Sequence, residues 1–323
     1  MIAQDLRFAA RLNAFKLGLD GKPGLDALLA RVALVPDMTA ADLNFPDHLV
    51  GVTPAKAKAA LDRHGIGLNG LAMRYYTHPG YRLGAFTNPD PTIRRAAIDE
   101  TKRGLDALAE MGGAIMTLWM GQDGVDYSFQ GDYIRMWEDT IAAIAEVADH
   151  NQTLDISIEY KPNEPRAFAL MPDLATTLLA LNEVARPNTG VTLDFCHLLF
   201  AGELPARSVR LATRRSRLLG IHLNDGYGKR DDGLMVGSVH PVQTVELFVE
   251  MMRQGPIGTI YFDTFPDHGG LDPVAEAATN IAMTRRLWAI ARELVDQPEL
   301  ANAIARQDAA ESLRIVAEAV YAK

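Results

Sequence analysis

LDISIE (154–159), GVTLD (190–194), LGIHLND (219–225) and TIYFD (259–263) are the stretches on which the fold of this chain turns. Each is a short apolar run of strand type that ends on an acid or an imidazole: Glu159, Asp194, His222 and Asp263. The gaps between these four residues are 35, 28 and 41 positions, each close to one strand-plus-helix unit. Short apolar runs alternating with longer helical patterns are the signature of βαβ units and a parallel sheet. Upstream, 8–15, 41–45, 66–74 and 114–119 read as four more strands, which brings the total to eight.

Amphipathic stretches fill the intervals. Thr53 is a good N-cap for a helix over 54–64 with Pro at its first position. The segment 92–111 carries apolar residues at helical spacing, and 132–150, 172–185, 208–218, 244–253 and 272–295 follow the same pattern. A shorter helix is expected around 25–32. Eight such units fit either a doubly wound open sheet or a closed (β/α)8 TIM barrel. Polar ends on four successive strands favour the barrel, because its strand ends meet around one mouth. Residues 1–296 are assigned to the barrel, and the Ala-rich segment 297–323 to a C-terminal helical extension.

Composition narrows the function. The chain has 323 residues, 48% of them apolar and 23% charged, as in an ordinary globular protein. A net charge of −9 argues against nucleic acid as a partner. The run ARSVRLATRRSR (206–217) is a local exception and reads as a solvated helix face or a subunit contact. A single cysteine, Cys196, excludes an internal disulfide and fits a reducing compartment. No apolar run is long enough to span a membrane, and no signal peptide opens the chain, so a cytoplasmic location is expected.

An Asp that follows an apolar run can simply cap the next helix. Four strand-end groups in succession are harder to explain that way. Carboxylates brought together repel unless a cation sits among them. Three carboxylates and one imidazole suit a divalent ion, Mn²⁺ first, with Mg²⁺, Co²⁺ or Zn²⁺ as alternatives. No glycine-rich phosphate loop and no GxSxG elbow is present.

At these residues the chain resembles the xylose isomerase-like TIM-barrel superfamily, most nearly its L-rhamnose isomerase type. The matching stretches are IEYKPNEPR (158–166), LDFCH (193–197), IHLNDGYGKRDDGLMVGSVHP (221–241) and FDTFP (262–266). WMGQDGVDYSFQGDY (119–133) and TNPDPTIRRAA (87–97) share the family's look. The resemblance implies that Glu159, Asp194, His222 and Asp263 hold the first metal and that Lys161 sits beside the substrate. It assigns His197 and Asp231 to a second metal that carries the catalytic water. Those isomerases show three consecutive aspartates, but this chain has Asp231-Asp232-Gly233, leaving Asp232 as the substitute ligand. Asn88 stands where they carry a histidine, with His78 nearby.

The implied substrate is an unphosphorylated monosaccharide. Trp119 and Phe265, with Tyr127 and Phe129, are expected on the apolar side of its pocket, while Gln122, Asp123 and Asn88 are expected to meet hydroxyls. The implied reaction is aldose–ketose isomerisation by hydride shift. The related ketose 3-epimerases instead use two glutamates on opposite faces of the sugar, whereas the eighth-strand acid here is the shorter Asp263. An endonuclease IV-like nuclease and a non-catalytic sugar-binding barrel are the remaining alternatives. A homo-oligomer, dimer or tetramer, is expected.

Overall fold

The computed structural model describes residues 6–75, 79–255 and 258–321; His78 lies outside them. Eight strands close into a parallel barrel in sequential order: β1 (Arg7–Arg11), β2 (Met38–Phe45), β3 (Gly67–Met73), β4 (Ile115–Leu118), β5 (Asp155–Glu159), β6 (Thr189–Asp194), β7 (Leu218–Leu223) and β8 (Thr259–Phe262). The seam is closed by β1 on β8, with Phe8 opposite Ile260 and Ala10 opposite Phe262.

Side chains alternate across a strand, and that alternation places the site. In β5, Ile156 and Ile158 are buried towards the surrounding helices, so Ser157 and Glu159 share the inward face. The same parity sends Thr192 and Asp194 of β6, and Gly220 and His222 of β7, inward. Ser157 Oγ and Thr192 Oγ1 meet at 2.6 Å inside the barrel. Ala9, Ala40 and Tyr261 form a small apolar plug of their own. Polar groups thus crowd the open end of the inward face, above this filling.

Helices α1 (Leu25–Val32), α2 (Pro54–His64), α3 (Pro91–Glu110), α4 (Tyr133–His150), α5 (Leu174–Val184), α6 (Pro205–Arg215), α7 (Pro241–Gln254) and α8 (Pro273–Leu294) surround the strands. Side-chain caps start five of them, from Thr53, Asp90, Asp132, Asp173 and Asp272. The tail forms α9 (Pro298–Ala305) and α10 (Ala309–Tyr321), whose Leu300 and Ile315 are buried in the main apolar core. In the arginine-rich stretch, Arg217 pairs with Asp155 and Arg210 with Glu250.

The first two strands differ most from the sequence expectation: the second begins at Met38 rather than at 41. The run 8–15 is a strand only to Arg11; Leu12–Lys16 then turn as a 3-10 helix. That change places Arg11 at a strand end, in the mouth of the barrel. The loops after β4 and β5 also pair as a short antiparallel ribbon, Gly124–Val125 with Phe168–Ala169, which the sequence pattern did not announce.

Candidate metal and sugar site

Glu159, Asp194, His222 and Asp263 converge at the C-terminal ends of β5 to β8, where one ligand atom from each lies within 4.8 Å of the others. Donors about 2 Å from one small divalent ion stand roughly 3–4 Å apart, so this spacing fits a single ion after slight contraction. His222 Nδ1 is 3.1 Å from Glu159 Oε1. Asn224 fixes the orientation of Asp194 by donating to both carboxylate oxygens at 3.1 and 3.0 Å, and to the backbone oxygen of Asp263 at 3.1 Å. Its own side-chain oxygen accepts from Cys196 N at 2.8 Å.

The electrostatics are those of anions out of water. Burial pushes the Asp194 carboxyl up to about 7; His197 opposes this, and Asp231, Asp263 and Glu159 add to it. Burial also raises Asp263, with Arg11 opposing and Glu159 adding. On Glu159, burial is outweighed by His222 and His197, which hold its carboxyl below the ordinary range. Against burial, Glu159, Asp263 and Asp194 lift His222 to about 9. Protons on the imidazoles and on Asp194 offset the clustered carboxylates, which is the behaviour expected of groups suited to a metal.

Beside the quartet runs a second row. His197 Nε2 lies 3.2 Å from Asp231 Oδ2, which also accepts from Lys161 Nζ at 3.0 Å. Lys161 reaches Glu164 at 2.9 Å and sits over the Trp119 ring at 5.3 Å. Buried Asp231 Oδ1 has no hydrogen-bond partner among the described residues. His197 is raised to about 10: burial is outweighed by Asp194, Asp231 and Glu159.

Quartet and row open into one cavity of about 450 Å³, a size suited to a small ligand. Trp119, Glu159, Lys161, His197, His222, Asp231, Asp263 and Phe265 line it. Asp194 is buried and off this wall. Asp232 is not brought there: it turns into its own loop, accepting from Tyr227 N at 2.8 Å and Arg230 Nε at 2.7 Å. Nor are Asn88, Gln122 and Asp123 on its wall. Asp123 Oδ1 is used up by Ala85 N, Thr87 N and Thr87 Oγ1, and Asn88 Nδ2 donates to Gly84 O at 2.8 Å. Gln122 lends its backbone oxygen to Arg166.

Residues that sequence reasoning passed over also line the wall, among them Arg11, Asp42, Asn44, Arg74 and Glu164. Arg11 Nε is 3.2 Å from Asp263 Oδ1, and its NH1 group is 3.3 Å from Asp267 Oδ1; the guanidinium lies 4.6 Å from the Phe265 ring centre. Asp42, raised to about 6 chiefly by burial, accepts from Asn69 at 2.6 Å. The signal that found the quartet, a polar residue ending an apolar strand, is present in RFAAR (7–11) and LAMR (71–74) too.

Residues 31–287 match the xylose isomerase-like TIM barrel family, and the chain belongs to it. A xylose isomerase from Thermus thermophilus is 29% identical over 214 residues, which cover 64% of this chain and 55% of that protein. The chain thus spans about half the length of the curated relatives it matches. Among solved structures, D-allulose 3-epimerase from Methylomonas sp., in complex with D-allulose, superposes with a TM-score of 0.68 at 17% identity, over 87% of this chain and 96% of that one. The IOLI protein with a binding zinc atom gives 0.67 at 14%, over 88% and 98%. At these identities the structural matches speak to the fold.

Proposed function

We propose that the chain is a divalent-metal-dependent aldose–ketose isomerase acting on an unphosphorylated monosaccharide. The observation that carries this reading is the row His197–Asp231–Lys161 set against the quartet in one cavity. Glu159, Asp194, His222 and Asp263 would hold the ion, Mn²⁺ first, with Mg²⁺, Co²⁺ or Zn²⁺ as alternatives. When bound, it supplies Lewis acidity and a template for two adjacent sugar oxygens.

In an open-chain aldose, a hydride passing from C2 to C1 leaves a carbonyl at C2, and the O2 proton must end on O1. The Lys161 ammonium steadies the negative charge that grows on the C1 oxygen. His197 and Asp231 stand where that proton can be held in transit between the two oxygens. Trp119 and Phe265 offer apolar faces that limit water. His197 and Asp231 are also the pair expected at a second ion; Asp232 faces away from them.

Epimerisation at C3 is the second reading, favoured by the allulose epimerase among the structural neighbours. It needs a free carboxylate on each face of the sugar, and Asp263 is gripped by Arg11. The test is to strip the protein with a chelator, restore Mn²⁺, incubate aldoses and ketoses with it in D₂O, and read the sugars by NMR after the reaction is stopped and the paramagnetic ion taken out. Product free of solvent deuterium is expected; deuterium at C3 would establish proton abstraction instead. Glu159→Gln should lose metal retention, and full occupancy in that variant would defeat the site assignment. The same reading has the chain form a dimer or tetramer, which the exposed Tyr127, Phe129, Ile134 and Phe168 of the loops and helix start beside the ribbon support.

A further inference from the structure

Strand β2 turns residues 40, 42 and 44 inward. Ala40 joins the plug with Ala9 and Tyr261, while Ala41 and Leu43 pack outward in the main core. Asp42 and Asn44, next along the inward face, are buried on the wall of the cavity that also holds Glu159, His222 and Asp263. Gly70 on β3 makes room for Asp42: a Cβ there would stand 3.0 Å from Asp42 Oδ2 and 3.2 Å from Ile115 O. Asn69 Nδ2 donates to Asp42 Oδ1 at 2.6 Å, and no bond to Oδ2 occurs among the described residues. Outside the strand ladder, the one bond Asn44 makes among the described residues comes from its backbone N–H, to His48 Nδ1 at 2.9 Å. The other nitrogen of that ring lies 3.0 Å from Asn13 Oδ1. The end of β2 is thus clamped, while the Asn44 carboxamide is left to the cavity.

The neighbouring inward groups are engaged or apolar. Arg11 is paired with Asp263 and Asp267, and Lys161 with Asp231 and Glu164. Arg74 stands under the attraction of Asp47 and Asp263, and β3 otherwise offers Ala72. We propose that Asp42 and Asn44 are specificity-determining residues, which hydrogen-bond sugar hydroxyls on the carbons beyond the reacting pair. This deepens the isomerase reading and rests on it for the placement of C1 and C2 at the quartet. In the closed barrel β2 lies opposite β6 and two strands from β8. A sugar held by its first two carbons at the quartet can therefore extend across the shared cavity towards Asp42 and Asn44. Above the value of about 6 to which burial raises it, Asp42 is a carboxylate that only accepts, whereas the Asn44 carboxamide both donates and accepts. A hydroxyl that is missing, or turned away, leaves one of these buried groups unpaired, and that cost discriminates between sugars.

Mn²⁺-loaded protein is screened at pH 8 with aldopentoses and aldohexoses, and the best substrate is compared with its 3-, 4- and 5-deoxy analogues. At least one analogue should fall about 10- to 100-fold below the parent in kcat/KM, as expected when a buried polar group loses its partner. Asn44→Ala and Asp42→Asn should each narrow such a gap to about threefold or less, because the reading group is gone. Asp42→Asn keeps an oxygen for Asn69 and turns the second acceptor into a donor, so the fold is spared. A purely structural role would lower parent and analogue alike; gaps that persist in both variants overturn the proposal. Xylitol, ribitol and D-arabinitol cannot isomerise and carry the test past any failure of turnover. Titrated calorimetrically into Mn²⁺-loaded protein, they should differ at least about tenfold in Kd for the wild type and about threefold or less for the double variant. Equal affinities in the wild type, no binding, or a spread kept by the double variant refutes the reading by β2. Absence of turnover with every sugar would defeat the isomerase reading and leave this second measurement to decide.

Discussion

Raising the pH from 6 to 8 should tighten metal binding by about three orders of magnitude. Among their neighbours in the quartet, His222 is lifted to about 9 and Asp194 to about 7. An incoming ion must displace both protons, so the logarithm of affinity climbs with pH by the number displaced. With those values about 1.9 protons leave at pH 6, about 1.5 at pH 7 and about 1 at pH 8, which integrates to roughly a thousandfold. The sign follows from competition: protons occupy the ligand atoms, so acid weakens the metal. Mn²⁺ affinity is read by competition with a fluorescent chelator at pH 6, 7 and 8. Calorimetry at pH 7 in two buffers of different protonation enthalpy counts the protons released. Asp194→Asn should reduce that count towards one. Affinity that moves less than tenfold over the interval, or binding without proton release, would refute the electrostatic picture of the quartet.

Three further outcomes are expected. The metal-free protein should melt lower as pH rises: His222 goes from about 6.5 unfolded to about 9 folded, so its stabilisation is complete below 6.5 and lost through 9. Differential scanning calorimetry from pH 6.5 to 9.5 should show this decline in chelator and its reversal with Mn²⁺ present; parallel curves would contradict it. Asn224→Ala should cost about 10- to 100-fold in metal affinity, because Asp194 loses the amide that spans both of its oxygens and keeps only the His197 N–H on Oδ1; unchanged affinity would make Asn224 a bystander. Gly233→Ala should destabilise by about 2–4 kcal/mol, since Gly233 has φ +58° and an added Cβ would lie 2.3 Å from Phe265 Cδ2. Denaturant unfolding reads that loss, and Phe265→Ala in the same chain should return part of it.

The barrel was legible because β5 to β8 are largely apolar runs with an acid or imidazole at or next to their last position, and the spacing of those four residues is close to the repeat of the fold. Arg11 was hidden by the run that follows it: FAARLNAF (8–15) stays apolar past the arginine, yet the backbone leaves the strand there and closes a 3-10 turn. Asp123 and Asn88 show the opposite error. Both lie in mouth loops, where a polar side chain can face the ligand or satisfy the loop's own N–H and C=O groups. Here the residues around 84–90 need those bonds, and composition carries no record of that need. Neighbouring Asp231 and Asp232 make the point most sharply. One faces the cavity and the other its own loop, a difference of backbone direction within a single dipeptide.

The missing third acid and the unforeseen arginine belong to one packing arrangement. Where the resemblance leads one to expect an aspartate, Gly233 lets the Phe265 ring lie against its Cα, and Phe265 N donates to Gly233 O at 2.9 Å. The ring in turn carries the Arg11 guanidinium on its face, and Arg11 grips Asp263. Restoring the acid at 233 would displace the ring and, with it, the support beneath Arg11. A side chain at 233 and the Phe265 ring in its present place therefore compete for the same space. A methyl group at 233 is then felt through Phe265 and Arg11 at Asp263, so Gly233→Ala should weaken Mn²⁺ binding although position 233 is not a ligand.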